Sequence, residues 1–190
     1  MNTVSFSSMS EGSKADYLLL AEYERDQIDA LADTILNQLR ALETGLQGYK
    51  IHRLEHALQA ATRAERDGMD KEWIIAALVH DIGDGIAPLN HSQLAAAVIR
   101  PYVRAEVTWV VEMHGLFQMI YYADHLGLDP NGRDQYRDHR WYDSCVRFCE
   151  RLDEPSFDPE YDSASLDHFT PLVREIFSRP AFDPAIIDPK

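Results

Sequence analysis

The stretch "AALVHDIGDG", residues 76–85, decides how this chain is read. Apolar residues lead into His80 and Asp81, and a glycine-broken turn follows. Burying an imidazole or a carboxylate without a partner costs several kcal/mol. Either neighbouring groups neutralise the pair, or a cation sits between them. A single histidine on an apolar face is more often a hydrogen-bonded core residue than a ligand. The rest of the chain must therefore decide.

On both sides of this stretch the pattern is helical. Leu18, Leu19, Ile28, Leu31, Ile35, Leu39 and Leu42 recur mostly at three- and four-residue steps, which predicts one helix over residues 15–42. Further helices are expected over 51–66 and 71–79, from "HSQLAAAVIR", and from Pro101 through "YVRAEVTWVVEMH". The pattern continues over 117–125, 135–152 and 166–177. No run alternates apolar and polar residues over a strand length, and no Asn-Gly or Asp-Gly hairpin signal is present. The expected fold is all-α, a single compact helical bundle over residues 15–190, after a Ser-rich stretch, 1–14, expected to be disordered. The tail "RPAFDPAIIDPK" reads as an extended strap.

The formal charge of −14 argues against nucleic acid or an anionic membrane as partner and suits a protein that handles small molecules. No signal peptide and no apolar run of about 18 residues is visible, so a cytoplasmic location is expected. Cys145 and Cys149 stand one helical turn apart and read as small core residues, since a zinc site needs more ligands and helix geometry disfavours a disulfide between them.

The histidines carry the chemistry. His56, His80, His91 and His114 fall at helix ends or core-facing turns, and Asp81 and Asp153 join them. Asp153 ends a helix just before Pro155, where a turn can swing a carboxylate inward; its rival Asp143 lies mid-helix. Four imidazoles and two carboxylates suit Fe, Mn, Zn or Co. Six ligands are too many for one metal that must also bind substrate and fit two metals sharing a carboxylate. His125, His139 and His168 lie among polar residues and read as non-ligands.

In this order, the six residues resemble the HD-domain superfamily of helical metalloproteins, over roughly residues 50–155. The resemblance implies an HD-type helical bundle in which Asp81 bridges two metals and is the catalytic carboxylate. His56, His80 and Asp153 would complete one metal, His91 and His114 the other. "LEHALQAATRA", "AALVHDIGD" and "RLDEPSFD" look like the diiron oxygenase branch, which includes inositol oxygenase and the oxygenases that cleave the carbon–phosphorus bond of 1-hydroxyphosphonates. That branch implies two iron ions, Fe(II)/Fe(III), dioxygen, and an organophosphonate such as 1-hydroxy-2-(trimethylamino)ethylphosphonate, converted to glycine betaine (or glycine from the amine) and phosphate. The alternative is a metal-dependent phosphohydrolase acting on a nucleotide or small phosphate ester. A third reading is a degenerate HD fold that only binds a ligand or partner.

Candidate substrate contacts are Tyr49, Arg53, Asp84 and Gln118. Arg53 or His52 could touch an anion near the first metal, or Arg53 could form a surface ion pair with Glu55 or near Asp70. Tyr49 could gate an open metal position. Asp84 stands where related oxygenases place a cationic residue and is expected to attract a quaternary ammonium. Gln118 follows His114 by one helical turn, and Phe117, Tyr121 and Tyr122 could form an aromatic cage. Arg147 or Arg151 could clamp a phosphonate.

Overall fold

The computed structural model describes residues 2–188. Among them are nine α-helices and no strand: α1 (Lys14–Asp29), α2 (Leu31–Ala41), α3 (Arg53–Arg66), α4 (Lys71–Val79), α5 (His91–Ile99), α6 (Ala105–Gln118), α7 (Tyr142–Phe148), α8 (Leu166–Phe177) and α9 (Pro184–Ile187). Short 3-10 turns and one π-turn connect them. The all-α bundle expected from the hydrophobic pattern is the fold observed.

The centre of the bundle is α4. Ile74, Ile75, Ala76, Ala77, Leu78 and Val79 are all buried, so this helix is apolar on every side, as a fully enclosed helix must be. It packs against α3, α6 and α8. The buried face of α3 is lined by Ala57, Ala60, Ala61 and Ala64, whose small side chains let the two helices approach closely. Asp70 starts α4 by accepting from the Glu72 and Trp73 amides at 3.0 and 3.2 Å. The far end of α4 is therefore held at a fixed depth in the core, and His80 is its C-cap.

Two expectations are corrected. The helix expected over 15–42 is two helices, because Ala30 turns out of the helical region (φ −85°, ψ 2°). No glycine or proline marks that break, so the periodicity runs through it. α2 buries Ile35, Leu36 and Leu39 and packs on α8, whereas α1 is largely exposed. The tail is not wholly extended: Pro184–Ile187 form a helical turn capped by Asp183, and the Phe182 amide donates to the Pro101 carbonyl at 2.8 Å. Residues near the start contact α1. Asp16 accepts hydrogen bonds from the amides and hydroxyls of both Ser5 and Ser13, and the Tyr23 hydroxyl donates to the Asn2 carbonyl at 3.0 Å. Composition does not reveal an acceptor placed to collect four donors.

Candidate metal centre

Five elements deliver six side chains to one point. α3 contributes His56, the end of α4 contributes His80 and Asp81, α5 opens with His91, and α6 presents His114 one turn before its end. Asp153 closes the π-turn Cys149–Asp153, in which the Glu154 amide reaches back five residues to the Cys149 carbonyl at 2.9 Å. This wide turn after α7 rotates Asp153 inward, and π-turns of this kind recur at functional sites.

Asp81 is the hub. Its Oδ2 lies 3.3 Å from His56 Nε2 and 3.1 Å from His80 Nε2, while its Oδ1 lies 3.3 Å from both His91 Nε2 and His114 Nε2. Asp153 Oδ1 lies 3.2 Å from His56 Nε2 and 3.5 Å from His80 Nε2. One oxygen of Asp81 thus faces His56 and His80, which also meet Asp153, and the other faces His91 and His114. His56–His80–Asp81, His80–His114–Asp153 and Asp81–His91–His114 each gather ligand atoms within 4.8 Å of one another, a spacing that could hold a metal ion.

The hydrogen bonds behind the rings set their protonation. His56 Nδ1 lies 2.8 Å from the Ser156 carbonyl, His80 Nδ1 2.8 Å from that of Ala77, and His114 Nδ1 2.6 Å from that of Val111. A carbonyl can only accept, so each Nδ1 carries the proton and donates it. In the neutral ring Nε2 is then left with a lone pair. The Nε2 atoms of His56 and His80 face each other at 3.0 Å, with two carboxylates beside them. Lone pairs and anions crowded this closely repel unless a cation lies among them.

Asp153 strengthens the case. It is fully buried, and neither carboxylate oxygen has a hydrogen-bond donor. Its contacts with the histidines are close but lack hydrogen-bond geometry, so distance alone does not satisfy it. Without a metal, a proton is that cation: burial lowers the pKa of the His80 imidazole, yet Asp81 and Asp153 outweigh burial and hold it well above its ordinary value. Burial likewise raises Asp81, but His80 and Arg53 hold its carboxyl well below the usual range. The point attracts cations. Its imidazole and carboxylate donors, without a thiolate, suit Fe, Mn, Zn or Co. The residues present fit a divalent metal.

Two glycines let His91 reach the centre. A Cβ on Gly83 would stand 3.0 Å from the His91 backbone, and one on Gly115 would stand 2.7 Å from Ser92 Oγ and 3.7 Å from His91 Nε2. The turn after Asp81 and the end of α6 can therefore close on the start of α5 only where no side chain intervenes. Phe148 packs edge-on against His80 at 5.7 Å, and Phe157 stacks on His56 at 4.3 Å.

The expected substrate residues fare differently. Arg53 is 8% exposed and donates to Asp81 Oδ2 and, at 2.6 Å, to Asp84 Oδ2, so it is part of the centre and not a surface partner of Glu55. Asp84 is not the free anion expected: its Oδ2 accepts from Arg53, a guanidinium it shares with Asp81, and its side chain is only 10% exposed. His52 is also corrected, because its Nδ1 caps α3 by accepting from the Glu55 amide at 3.0 Å. Tyr49 stacks on Phe157 at 5.0 Å, at the outer end of a column of rings that begins at His56. Gln118 and Tyr122 line a cavity of about 590 Å³ that also includes His91. Tyr121 is 39% exposed, whereas Phe117 is fully buried against Trp109 and Tyr142 and is ordinary core. Arg151 pairs with Asp67 at 2.9 Å, and Arg147 lines a separate cavity with Trp73 and Met69, so neither is a clamp at this centre. Asp143 is exposed, which leaves Asp153 as the acid of this segment. His139 stacks on Trp109, His168 pairs with Glu65, and His125 is exposed; none joins the cluster.

One contributor carries no sequence signal. The Ser156 carbonyl that orients His56 is backbone, and nothing in "EPSFD" announces it.

Fold and site together define an all-helical protein with a buried histidine–aspartate cluster able to hold metal. The family model described as the HD domain matches residues 49–155, more than half of the chain, and the chain belongs to that family. No curated protein matches the chain. No described helix is long and apolar enough to cross a membrane.

Proposed function

We propose that this chain is a two-metal oxygenase that cleaves the carbon–phosphorus bond of a small 1-hydroxyphosphonate. The favoured substrate is 1-hydroxy-2-(trimethylamino)ethylphosphonate, or its primary-amine analogue, yielding glycine betaine or glycine and phosphate. The observation that carries the two-metal part is the two-faced contact of Asp81, one oxygen toward His56 and His80 and the other toward His91 and His114. The oxygenase part rests on the likeness of "LEHALQAATRA", "AALVHDIGD" and "RLDEPSFD" to that branch.

His56, His80 and Asp153 would hold one ion, His91 and His114 the other, with Asp81 shared. Two irons, as Fe(II)/Fe(III), would supply dioxygen binding and electron transfer. Both oxygen atoms of one dioxygen end in the carboxylic acid and phosphate, and the substrate gives the four electrons, so no separate reductant is needed. Asp81, Asp84 and Asp153 against Arg53 leave two negative charges; Fe(II) and Fe(III) together would convert that to three positive ones, which suits a dianionic phosphonate. Gln118 offers its amide to a substrate oxygen in the cavity beside His91, and the exposed face of Tyr122 suits N-methyl groups. The complete burial of His56, His80 and Asp153 excludes water from the first position.

A phosphohydrolase is the second reading, favoured by HD-family membership itself and by the same charge balance. One experiment separates them. Iron-loaded, partly reduced protein is given the phosphonates, and oxygen uptake and phosphate release are followed together. Matched uptake and release supports the oxygenase. Phosphate release from p-nitrophenyl phosphate by manganese-loaded protein without oxygen, and no uptake with the phosphonates, supports the hydrolase.

A further inference from the structure

Three of the four clustered imidazoles are oriented by backbone carbonyls at 2.6–2.8 Å. His91 is not. Its Nδ1 faces Asp84 Oδ1 at 3.6 Å while its Nε2 faces Asp81 Oδ1 at 3.3 Å. The other oxygen of Asp84 is taken by Arg53 Nε at 2.6 Å, and the same guanidinium reaches Asp81. Asp84 is thus engaged at both oxygens, and its side chain is only 10% exposed. His91 is also the most accessible ring of the four, at 26% for its side chain, against 1% or less for His56, His80 and His114.

We infer that Asp84 is a positioning residue for the second metal position: it draws the Nδ1 proton of His91 and so aims Nε2 toward the ion shared with His114 and Asp81, while Arg53 holds Asp84 in place. This rests on the two-metal reading above. A carboxylate behind a ligating imidazole fixes its tautomer and raises its basicity. At 3.6 Å the contact is electrostatic and not a formed hydrogen bond. The second position therefore begins with the least constrained ligand, and it is the weaker of the two and fills last.

The test is a titration of metal-free protein with Mn²⁺, counting bound ions by equilibrium dialysis and reading each affinity by calorimetry. Wild-type protein takes two ions in two steps. Asp84→Asn keeps the first step and weakens the second about 10–100-fold. Asp84→Glu recovers part of that loss. In a His91→Ala background, Asp84→Asn changes nothing further, because the residue it acts through is gone. Circular dichroism of each variant checks that it folds. Two ions held by Asp84→Asn as tightly as by wild type overturn the inference, and so does an equal loss in the His91→Ala background, which marks a merely structural role. A wild-type chain that binds fewer than two ions overturns the two-metal reading instead, and the inference falls with it.

Discussion

His56, His80 and Asp153 form one half of the centre, His91 and His114 the other, and they differ in what holds them. In the first half the rings lean on carbonyls of the chain itself, and every atom is sealed in the core. In the second, His114 follows the same rule, but His91 depends on a side-chain carboxylate, on an arginine behind it and on two glycines that let α5 come close. A ligand anchored to the main chain of the core moves only if that main chain moves. One anchored through two long side chains can be lost by a single substitution that leaves the fold intact. The difference separates a position built with the core from one added at its edge.

The largest effect is expected where the halves meet. Asp81→Ala removes the shared carboxylate, so both ions leave and turnover drops by well over ~100-fold, beyond the scale of losing a mere supporting partner. Metal content by mass spectrometry and a rate assay check this. Retention of one tightly held ion would show that the halves do not share Asp81.

Gly83→Ala sharpens the contrast, since its new methyl group meets the His91 backbone at 3.0 Å. The second ion is expected to be lost and the first kept. As a control, Ile75→Ala, fully buried in α4, should cost about 2–5 kcal/mol of stability yet still bind two ions at low temperature. If Gly83→Ala empties both positions, the second half is not separable.

Metal withdrawal comes next. Chelation should lower Tm, because ion binding at 100 times Kd stabilises the folded chain by about 2.7 kcal/mol. Re-addition should restore Tm in two phases, the tighter belonging to His56, His80 and Asp153. A single phase would erase the asymmetry.

The smallest effect lies far from the centre. Hydrogen bonds, foremost from the Ser13 hydroxyl, hold the Asp16 carboxyl well below the usual carboxylate range. A lowered folded-state pKa contributes stability above the unfolded value of about 3.9, and the contribution fades as pH falls through the folded value. Asp16→Asn should therefore lower Tm at pH 7, with the gap to wild type narrowing below about pH 4, while leaving both ions in place. A gap that stays constant with pH would mean that the carboxylate charge is not the cause.

Much of this was legible in residue order. Helices 71–79 and 166–177 were readable to the residue, because both begin at side-chain caps, α4 is a continuous apolar run and the burial of α8 follows from local periodicity. The break at Ala30 was not, since no local residue encodes it and packing of α2 on α8 decides it. The six-residue cluster was readable because imidazoles and carboxylates at the ends of apolar helices are costly to bury unless a cation offsets them. The role of Asp84 was not. Its charge suggested a free anion, and only the position of Arg53, 31 residues earlier, shows that the charge is spent inside the protein.

Residue types and their spacing by themselves determined an all-α chain and a set of groups with the chemistry of a metal centre. Periodicity and ligand chemistry are local properties that survive in a linear string. The tertiary structure alone decided that Asp81 turns its two oxygens to two different sets of histidines, that carbonyls of Ala77, Val111 and Ser156 fix three of the rings, and that a π-turn aims Asp153 inward. These are relations between elements distant in sequence, set by how apolar faces pack, and no single stretch of chain contains them.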